Sequence, residues 1–169
     1  MATAFLIMGV SGSGKSTVAR ALAQKLGWDF FDADDFHPPA NIAKMTAGIP
    51  LDDSDREPWL VALNEQLLST LQAGHHPVLA CSALKEKYRA KLLHDIDGVA
   101  IIHLKGNYDL IWSRMSAREE HYMKPAMLQS QFDSLEEPAN ALVLDVSIPL
   151  EQMVDTIIEK HFTMKRSSN

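Results

Sequence analysis

Short apolar runs alternate along the chain with stretches in which apolar residues recur every three or four positions. The runs cover residues 5–8, 28–31, 77–81, 99–104 and 142–146. They are continuously apolar rather than alternately apolar and polar, which is typical of parallel strands buried on both faces. The pattern therefore predicts a parallel sheet.

The stretches between the runs have the apolar spacing of amphipathic helices. Helices are predicted over residues 15–26, after Pro38-Pro39, after Asp55, and over residues 84–93, 107–118 and 150–161. Asp55 is the expected N-cap of the third helix, and Ile42 and Met45 are expected to face inward from the second. Strands that alternate with helices favour an α/β fold in which helices cover both faces of the sheet.

Composition narrows the class of protein and its partners. The 169 residues contain no internal repeat and no Gly/Ser-rich linker, which predicts one domain over residues 1–169. The net charge of −6 argues against nucleic acid or an anionic membrane as a partner, because both bind basic surfaces. No signal-peptide pattern or membrane span is evident, and the single cysteine, Cys81, suits a reducing compartment. We expect a cytoplasmic protein.

A complete G-x-x-x-x-G-K-[ST] motif lies between the first predicted strand and the first predicted helix. Its glycines let successive backbone N–H groups point into one concavity that holds phosphate oxygens, and the helix adds its positive dipole end. Lys15 can reach the β- and γ-phosphates, and Ser16 can ligate Mg²⁺. The predicted nucleotide-binding residues are Gly9, Val10, Ser11, Gly12, Ser13, Gly14, Lys15, Ser16 and Thr17. A chance glycine-rich loop is the alternative, and the strand–helix context disfavours it.

Asp32 and Asp34 follow the second predicted strand, whereas the third strand ends at Cys81 without a carboxylate. Because Mg²⁺ prefers carboxylates together with phosphates and waters, these two aspartates are the candidates for metal ligand and catalytic base. We assign Asp34 to the base and Asp32 to the metal, and the spacing also allows the exchanged roles. The alternative is an acidic turn, in which Asp35 is the expected helix cap.

Further motifs give the chain a specific resemblance. Residues 32–38 read D-A-D-D-F-H-P, residues 55–60 read D-R-E-P-W-L, and residues 81–85 read C-S-A-L-K. With the phosphate loop, they make the chain resemble the gluconate kinases (gluconokinases), P-loop kinases related to shikimate kinases and nucleoside monophosphate kinases. The phosphate loop alone marks a broad superfamily, whereas the first two of these motifs are much narrower.

The resemblance covers nearly the whole chain and implies a fold and an activity. The implied fold is a P-loop NTP hydrolase-type three-layer α/β/α arrangement with a five-stranded parallel sheet and a small helical lid. The implied reaction transfers the ATP γ-phosphoryl group, with Mg²⁺, to the 6-hydroxyl of D-gluconate. Relatives are often homodimers. The acceptor would bind within about residues 32–75, and the lid would comprise about residues 119–125.

A pocket for a small polyol anion needs polar groups for its hydroxyls and a cation for its carboxylate. The predicted acceptor-binding residues are Asp34, His37, Asn41, Arg56, Lys85 and Arg89. Lys85 and Arg89 are spaced i and i+4 after the third strand, so a shared helix face could clamp a carboxylate. A solvated basic stripe is the alternative for this pair.

The predicted catalytic residues are Lys15, Asp34, Arg114 and Arg118. Arg114 and Arg118 are also spaced i and i+4, and in P-loop enzymes an arginine that reaches the transferring phosphoryl group accelerates transfer strongly. By resemblance we interpret them as lid arginines next to the charged residues 119–124. The alternative is a pair of exposed arginines that complement the dipole at a helix C-terminus.

Three other functions compete with gluconate phosphorylation. Shikimate kinases have a glycine triplet after the third strand, where this chain has Cys81-Ser82-Ala83. Nucleoside monophosphate kinases need a longer acceptor insertion. A non-catalytic nucleotide switch could use the same phosphate loop, but it would give the paired aspartates and clustered cations no purpose.

Overall fold

The computed structural model describes residues 2–117 and 125–162. Five strands form one parallel sheet, with bounds β1 Ala4–Met8, β2 Asp29–Asp32, β3 Pro77–Ala80, β4 Val99–Lys105 and β5 Ala141–Asp145. The strand order is β2-β3-β1-β4-β5, so β1 is the central strand. The predicted five-stranded parallel sheet is therefore confirmed.

Seven α-helices accompany the sheet in the described part of the chain. Their bounds are α1 Lys15–Leu26, α2 Pro39–Thr46, α3 Asp53–Gln72, α4 Glu86–Leu92, α5 Tyr108–Ser116, α6 Pro125–Ser134 and α7 Leu150–Phe162. A 3₁₀ helix, Ala33–Phe36, follows β2 directly. Among residues 2–117 and 125–162, no helix has the length and apolar character needed to cross a membrane.

The sheet separates two hydrophobic clusters, because successive side chains of a strand point to opposite faces. Phe5 and Ile7 of β1 belong to the cluster that includes buried residues of α1, α5 and α7. Leu6 and Met8 belong to the cluster formed with α3 and α4. The helices thus cover both faces of the sheet, as the alternation of strands and helices predicts.

Burial along the strands falls from the centre of the sheet to its edges. Every residue of β1 and β3 is buried, whereas all four residues of β2 are half-buried. Val143 in β5 is 50% exposed. The expectation of strands buried on both faces therefore holds for the centre and fails at the edges, where a strand has a neighbour on one side only.

Two local helix predictions are wrong. The N-cap of α3 is Asp52 rather than Asp55: the Asp52 carboxylate accepts the Asp55 N–H at 2.7 Å, and the Asp55 carboxylate accepts the Asp52 N–H at 3.0 Å. On α2, Ile42 is 51% and Met45 36% exposed, and the buried residue is Asn41. The inward face of α2 is therefore polar, because it meets the first turn of α3.

Several loops lie next to one another at the carboxyl ends of the parallel strands. β1 runs into the phosphate loop, and β2 runs into the acidic turn at Asp32. One strand, β3, separates them and ends just before Cys81. Since ligands of open α/β sheets bind outside the carboxyl ends of the strands, a site is expected among these loops.

Candidate active site

The phosphate loop between β1 and α1 requires glycine at two positions. A Cβ atom at Gly9 would lie 2.8 Å from the carbonyl oxygen of Leu104, a backbone atom of β4 that no side-chain rotation can move away. Gly12 has a φ of 77°, and a Cβ atom there would come within 2.4 Å of the Met115 Cγ. Because α1 begins at Lys15, its unpaired first N–H groups and its positive dipole end lie at this loop.

A cavity of about 630 Å³ extends from the phosphate loop to the segment between α2 and α3. At the phosphate end it is lined by Ser11, Gly12, Gly14, Lys15, Ser16 and Thr17. Further along, its lining includes Asp32, Asp34, His37, Arg56, Trp59 and Ser82. Of the predicted nucleotide-binding residues, Val10 and Ser13 are each 3% exposed and belong to the framework of the loop rather than to the cavity wall.

Ser16 and Asp32 meet at the phosphate end of the cavity. The Ser16 hydroxyl donates to the Asp32 carboxylate at 2.6 Å, and the other oxygen of this carboxylate accepts the Asp34 N–H at 3.0 Å. Asp32, rather than the predicted Asp35, is therefore the cap of the 3₁₀ helix. The described residues contain no cluster of three or more metal-ligating side chains. A hydroxyl with one carboxylate suits Mg²⁺ that takes its other ligands from phosphate and water.

Asp34 and Lys15 have shifted proton affinities. Asp34 is open to the cavity, but the surrounding walls displace much of its water, and this desolvation together with the charge of Asp32 raises the pKa of Asp34. Burial lowers the pKa of Lys15, against the attraction of Asp34 and Asp32. The Lys15 ammonium donates to the Val10 carbonyl at 3.1 Å. The cavity thus contains the Lys15 cation and the Asp34 carboxylate, whose affinity for a proton is increased.

An aromatic pair forms the wall beyond Asp34. The indole N–H of Trp59 donates to the Ala33 carbonyl at 2.7 Å, which fixes the ring. The His37 imidazole stacks on this indole with ring centroids 4.3 Å apart and an interplanar angle of 12°. Desolvation in this position lowers the pKa of His37. Trp59 is therefore both a core residue and part of the cavity lining.

Arg56 is held by a small polar network. Its Nη1 donates to the Leu51 carbonyl at 2.5 Å and to the Tyr88 hydroxyl at 3.3 Å. The Tyr88 hydroxyl in turn donates to the Asp53 carboxylate, and the guanidinium lies 5.1 Å from the centre of the Tyr88 ring. The Arg56 cation is thus presented to the cavity in one orientation.

Asn41 does not line the cavity, contrary to its predicted contact with the acceptor. Its side chain is buried behind His37, and its Nδ2 lies 2.9 Å from the Asp55 carbonyl oxygen and 3.3 Å from the His37 Nδ1. Asn41 therefore contacts a residue of the cavity wall rather than the cavity itself.

Comparison with known proteins assigns the chain to a family. The profile of the family described as shikimate kinase matches residues 11–162. The thermoresistant gluconokinase of Escherichia coli is 44% identical over 159 residues, covering 92% of this chain and 91% of the relative. The chain belongs to the gluconokinase family. The gluconokinase of Gluconobacter oxydans is 41% identical over 160 residues, with 93% and 89% covered.

Solved structures agree with membership of the gluconokinase family. A gluconokinase from Sinorhizobium meliloti is 39% identical to this chain and superimposes on it with a TM-score of 0.83. The superposition covers 98% of this chain and 97% of the Sinorhizobium meliloti chain. A shikimate kinase from Bacteroides thetaiotaomicron shares the fold, with a TM-score of 0.67 at 15% identity. The superposition covers 94% of this chain and 97% of the shikimate kinase. The predicted P-loop kinase fold and family are confirmed.

The structure does not bring Lys85 and Arg89 into the cavity. Arg89 is 2% exposed, and its guanidinium donates to the carbonyls of Ala83 at 2.7 Å and Glu136 at 2.8 Å and to the Glu86 carboxylate at 2.9 Å. Lys85 is the N-cap residue of α4 and lies outside the helix face that carries Arg89. The spacing argument fails because α4 begins later than predicted.

Two predicted arginines have different outcomes. Arg114 donates from Nη1 to the Val146 carbonyl at 2.7 Å, next to the end of β5, and does not line the cavity. Arg118 and the proposed lid segment 119–124 lie outside the described residues. The structure therefore places Arg114 at the loop after β5, and the lid arginine remains a prediction.

Sequence reasoning missed Gln131 on α6, which contacts the phosphate loop. The Ser11 N–H donates to the Gln131 Oε1 at 2.7 Å, and the Gln131 Nε2 donates to the Ser11 hydroxyl at 3.0 Å. Met127 and Ser130 of α6 also line the cavity. No motif surrounds Gln131, and 120 positions separate it from Ser11, so only the fold reveals this contact.

Cys81 at the end of β3 lines the cavity without being reactive. The residue is 1% exposed, and burial raises the pKa of its thiol to about 12. The thiol therefore stays protonated at neutral pH, and Cys81 packs as a small buried hydrophobic residue.

Proposed function

We propose that this protein transfers the γ-phosphoryl group of ATP to the 6-hydroxyl of D-gluconate, giving 6-phospho-D-gluconate and ADP. The observation that carries the proposal is that one cavity contains the phosphate loop, the Asp32–Asp34 pair and, beyond them, Arg56. Two relatives that are 44% and 41% identical to this chain over the aligned residues are named gluconokinases, which supports gluconate as the acceptor.

The phosphate loop would bind the β- and γ-phosphates through its N–H groups and the first turn of α1. Lys15 would neutralise the transferring group, and its burial strengthens this attraction because little water screens it. Ser16 and Asp32 would hold Mg²⁺, which when bound neutralises phosphate charge. These residues together align the γ-phosphorus with the open part of the cavity.

Asp34 would orient the acceptor hydroxyl and take its proton. The hydroxyl oxygen forms a bond to the γ-phosphorus while the bond from this phosphorus to the β–γ bridging oxygen breaks. The bridging oxygen leaves with ADP, and the hydroxyl proton passes to the Asp34 carboxylate. Because the raised pKa makes this carboxylate a better proton acceptor, the arrangement suits general-base assistance.

Arg56 would bind the carboxylate of gluconate in the part of the cavity beyond Asp34, away from the phosphate loop. Its Nη1 is committed to the Leu51 carbonyl and the Tyr88 hydroxyl, and among the contacts of the described residues Nε and Nη2 have no such partner. An arginine edge with two N–H donors matches a carboxylate, and charge-assisted hydrogen bonds of this kind contribute about 1.5–3 kcal/mol each. The acceptor would therefore extend from Arg56 to Asp34.

Coupled measurement of ADP release with a panel of acceptors tests the proposed function. The panel comprises D-gluconate, shikimate, AMP and a sample without acceptor. We expect kcat/KM for gluconate to exceed that for the other acceptors by at least about 100-fold, because an unmatched polar pocket rejects analogues strongly. Preference for shikimate, or ADP release that does not depend on an acceptor, would contradict the proposal.

A further inference from the structure

The contacts of Asn41 determine which atom of its amide faces His37. The Asp55 backbone carbonyl can only accept a hydrogen bond, so the amide atom 2.9 Å from it must be the nitrogen. The same nitrogen lies 3.3 Å from the His37 Nδ1. An amide nitrogen carries two hydrogens, so one is directed to Asp55 and the other to His37.

The imidazole must therefore accept at Nδ1. In neutral histidine one ring nitrogen carries the proton and the other accepts, so acceptance at Nδ1 places the proton on Nε2. Stacking on Trp59 fixes the plane of the ring. Asn41 is 3% exposed, so water does not compete for its hydrogens. Both the tautomer and the orientation of His37 are thereby fixed.

His37 is neutral in this environment. Two charged groups face it, Asp34 from the 3₁₀ helix and Arg56 from α3, and their effects on its pKa are opposed. Desolvation is the largest effect and lowers the pKa of His37. The side chain therefore offers the cavity a neutral N–H donor, while Arg56 supplies the cation.

We propose that Asn41 is a positioning residue that holds His37 as the Nε2–H tautomer, so that His37 donates a hydrogen bond to a hydroxyl oxygen of the acceptor. A neutral donor suits the uncharged hydroxyls of a polyol, and the fixed tautomer keeps this donor in place before the acceptor arrives. The identity of the polyol as gluconate rests on the proposed function, but the tautomer itself does not.

Nitrogen NMR of the protein without ligands tests the tautomer directly. Long-range ¹H–¹⁵N correlation spectra distinguish protonated from unprotonated ring nitrogens, and the His37→Gln variant identifies the His37 signals by their loss. We expect an unprotonated Nδ1 and a protonated Nε2 near neutral pH. A protonated Nδ1, or both nitrogens protonated, would overturn the proposal, and this test needs neither substrate turnover nor a folded Asn41 variant.

Steady-state kinetics test whether the tautomer matters for the acceptor. Glutamine can place its amide N–H near the position of Nε2, whereas asparagine is too short to do so. We expect His37→Gln to keep the gluconate KM within about threefold and His37→Asn to raise it about tenfold, the effect of losing one neutral hydrogen bond. In both variants the ATP KM should stay within about twofold, because His37 follows β2 and does not belong to the phosphate loop. Equal gluconate KM values in the two variants would contradict the proposed donor.

Asn41→Asp tests the positioning role. A carboxylate at this position accepts rather than donates, so in the neutral ring it moves the His37 proton to Nδ1 and removes the donor at Nε2. Because the new charge also raises the pKa of His37, the kinetics are measured at a pH at which the spectra show a neutral ring in this variant. We expect about a tenfold rise in gluconate KM in the otherwise unaltered protein and little further change in the His37→Gln background, which has no tautomer to alter. An equal rise in both backgrounds would show that Asn41 acts through packing alone. If gluconate is not a substrate, the spectra still decide the tautomer, so the two failures are distinguishable.

Discussion

The Ser16 hydroxyl donates a hydrogen bond of 2.6 Å to the Asp32 carboxylate and so joins the first turn of α1 to the end of β2. The strand β3 lies between β2 and β1, the strand that leads into α1, so this contact links the segments that follow two strands that are not adjacent in the sheet. The same carboxylate accepts the Asp34 N–H at 3.0 Å. Asp32 therefore fixes the positions of the proposed metal ligand Ser16 and the proposed base Asp34 relative to each other.

Asp32→Asn should weaken the binding of magnesium. The amide keeps the shape of the side chain but loses the negative charge that favours a divalent cation. We expect the Mg²⁺ concentration for half-maximal turnover to rise about 10–100-fold at saturating ATP and gluconate. The matched control is Asp35→Asn, because Asp35 is exposed and does not line the cavity. An unchanged Mg²⁺ requirement with a large loss of kcat would indicate that Asp32 is the base and that the two roles are exchanged.

Asp34→Asn should separate binding from transfer. The variant retains the phosphate loop, so calorimetry should detect ATP binding of nearly unaltered affinity. Turnover should fall by about 10²–10⁴-fold, the usual contribution of a positioned general base. Asp35→Asn again serves as the control and should keep its activity. Turnover of Asp34→Asn at the rate of the unaltered protein would remove Asp34 from the proposed mechanism.

The acidic limb of the pH profile should report Asp34. Its pKa is raised from the ordinary value of 3.8, first by desolvation and then by the charge of Asp32, while Lys15 opposes the shift. Because transfer needs the carboxylate form, kcat/KM should fall as the pH drops through a midpoint above 3.8. Removing the like charge in Asp32→Asn lowers the Asp34 pKa, so its midpoint should move to lower pH. A midpoint that stays in place or moves upward would be inconsistent with this cause.

Arg89 should contribute to stability rather than to acceptor binding. Arg89→Met would leave the Ala83 and Glu136 carbonyls without their donor, and we expect the free energy of unfolding to fall by about 3 kcal/mol. Lys85→Met should change it by no more than about 0.5 kcal/mol, since Lys85 is only half-buried at the start of α4. Denaturant unfolding gives both values. If Arg89→Met were as stable as the unaltered protein and had a raised gluconate KM, the result would support the interpretation of Lys85 and Arg89 as a clamp for the acceptor carboxylate.

The phosphate loop was predictable because its function depends on local backbone geometry. Gly9 and Gly12 meet neighbours that admit no side chain, so the motif is visible in the order of residues alone. The strands were equally visible, since burial at the centre of a parallel sheet leaves an unbroken apolar run. The edge strands β2 and β5 and both ends of β4 are only partly buried, and this exposure depends on strand order and length, which local pattern does not encode.

The contacts that pattern could not predict join distant parts of the chain. The Arg89 guanidinium donates to the Glu136 carbonyl, which lies 47 positions away in the sequence. Arg89 is buried, although the local pattern suggests a cation on the surface. Gln131 reaches Ser11 across 120 positions. The cap of α3 was misplaced for a different reason: Asp52 and Asp55 both fit the capping pattern, and they bond to each other reciprocally.

A crystal structure with D-gluconate and a non-hydrolysable ATP analogue tests the central claim most directly. The quantity to measure is the distance from the Asp34 carboxylate to the gluconate 6-hydroxyl, with that hydroxyl facing the γ-phosphorus. We predict a hydrogen bond of about 2.6–3.2 Å, with the gluconate carboxylate at Arg56. Gluconate bound with its 6-hydroxyl away from Asp34, or outside the cavity that begins at the phosphate loop, would contradict the account.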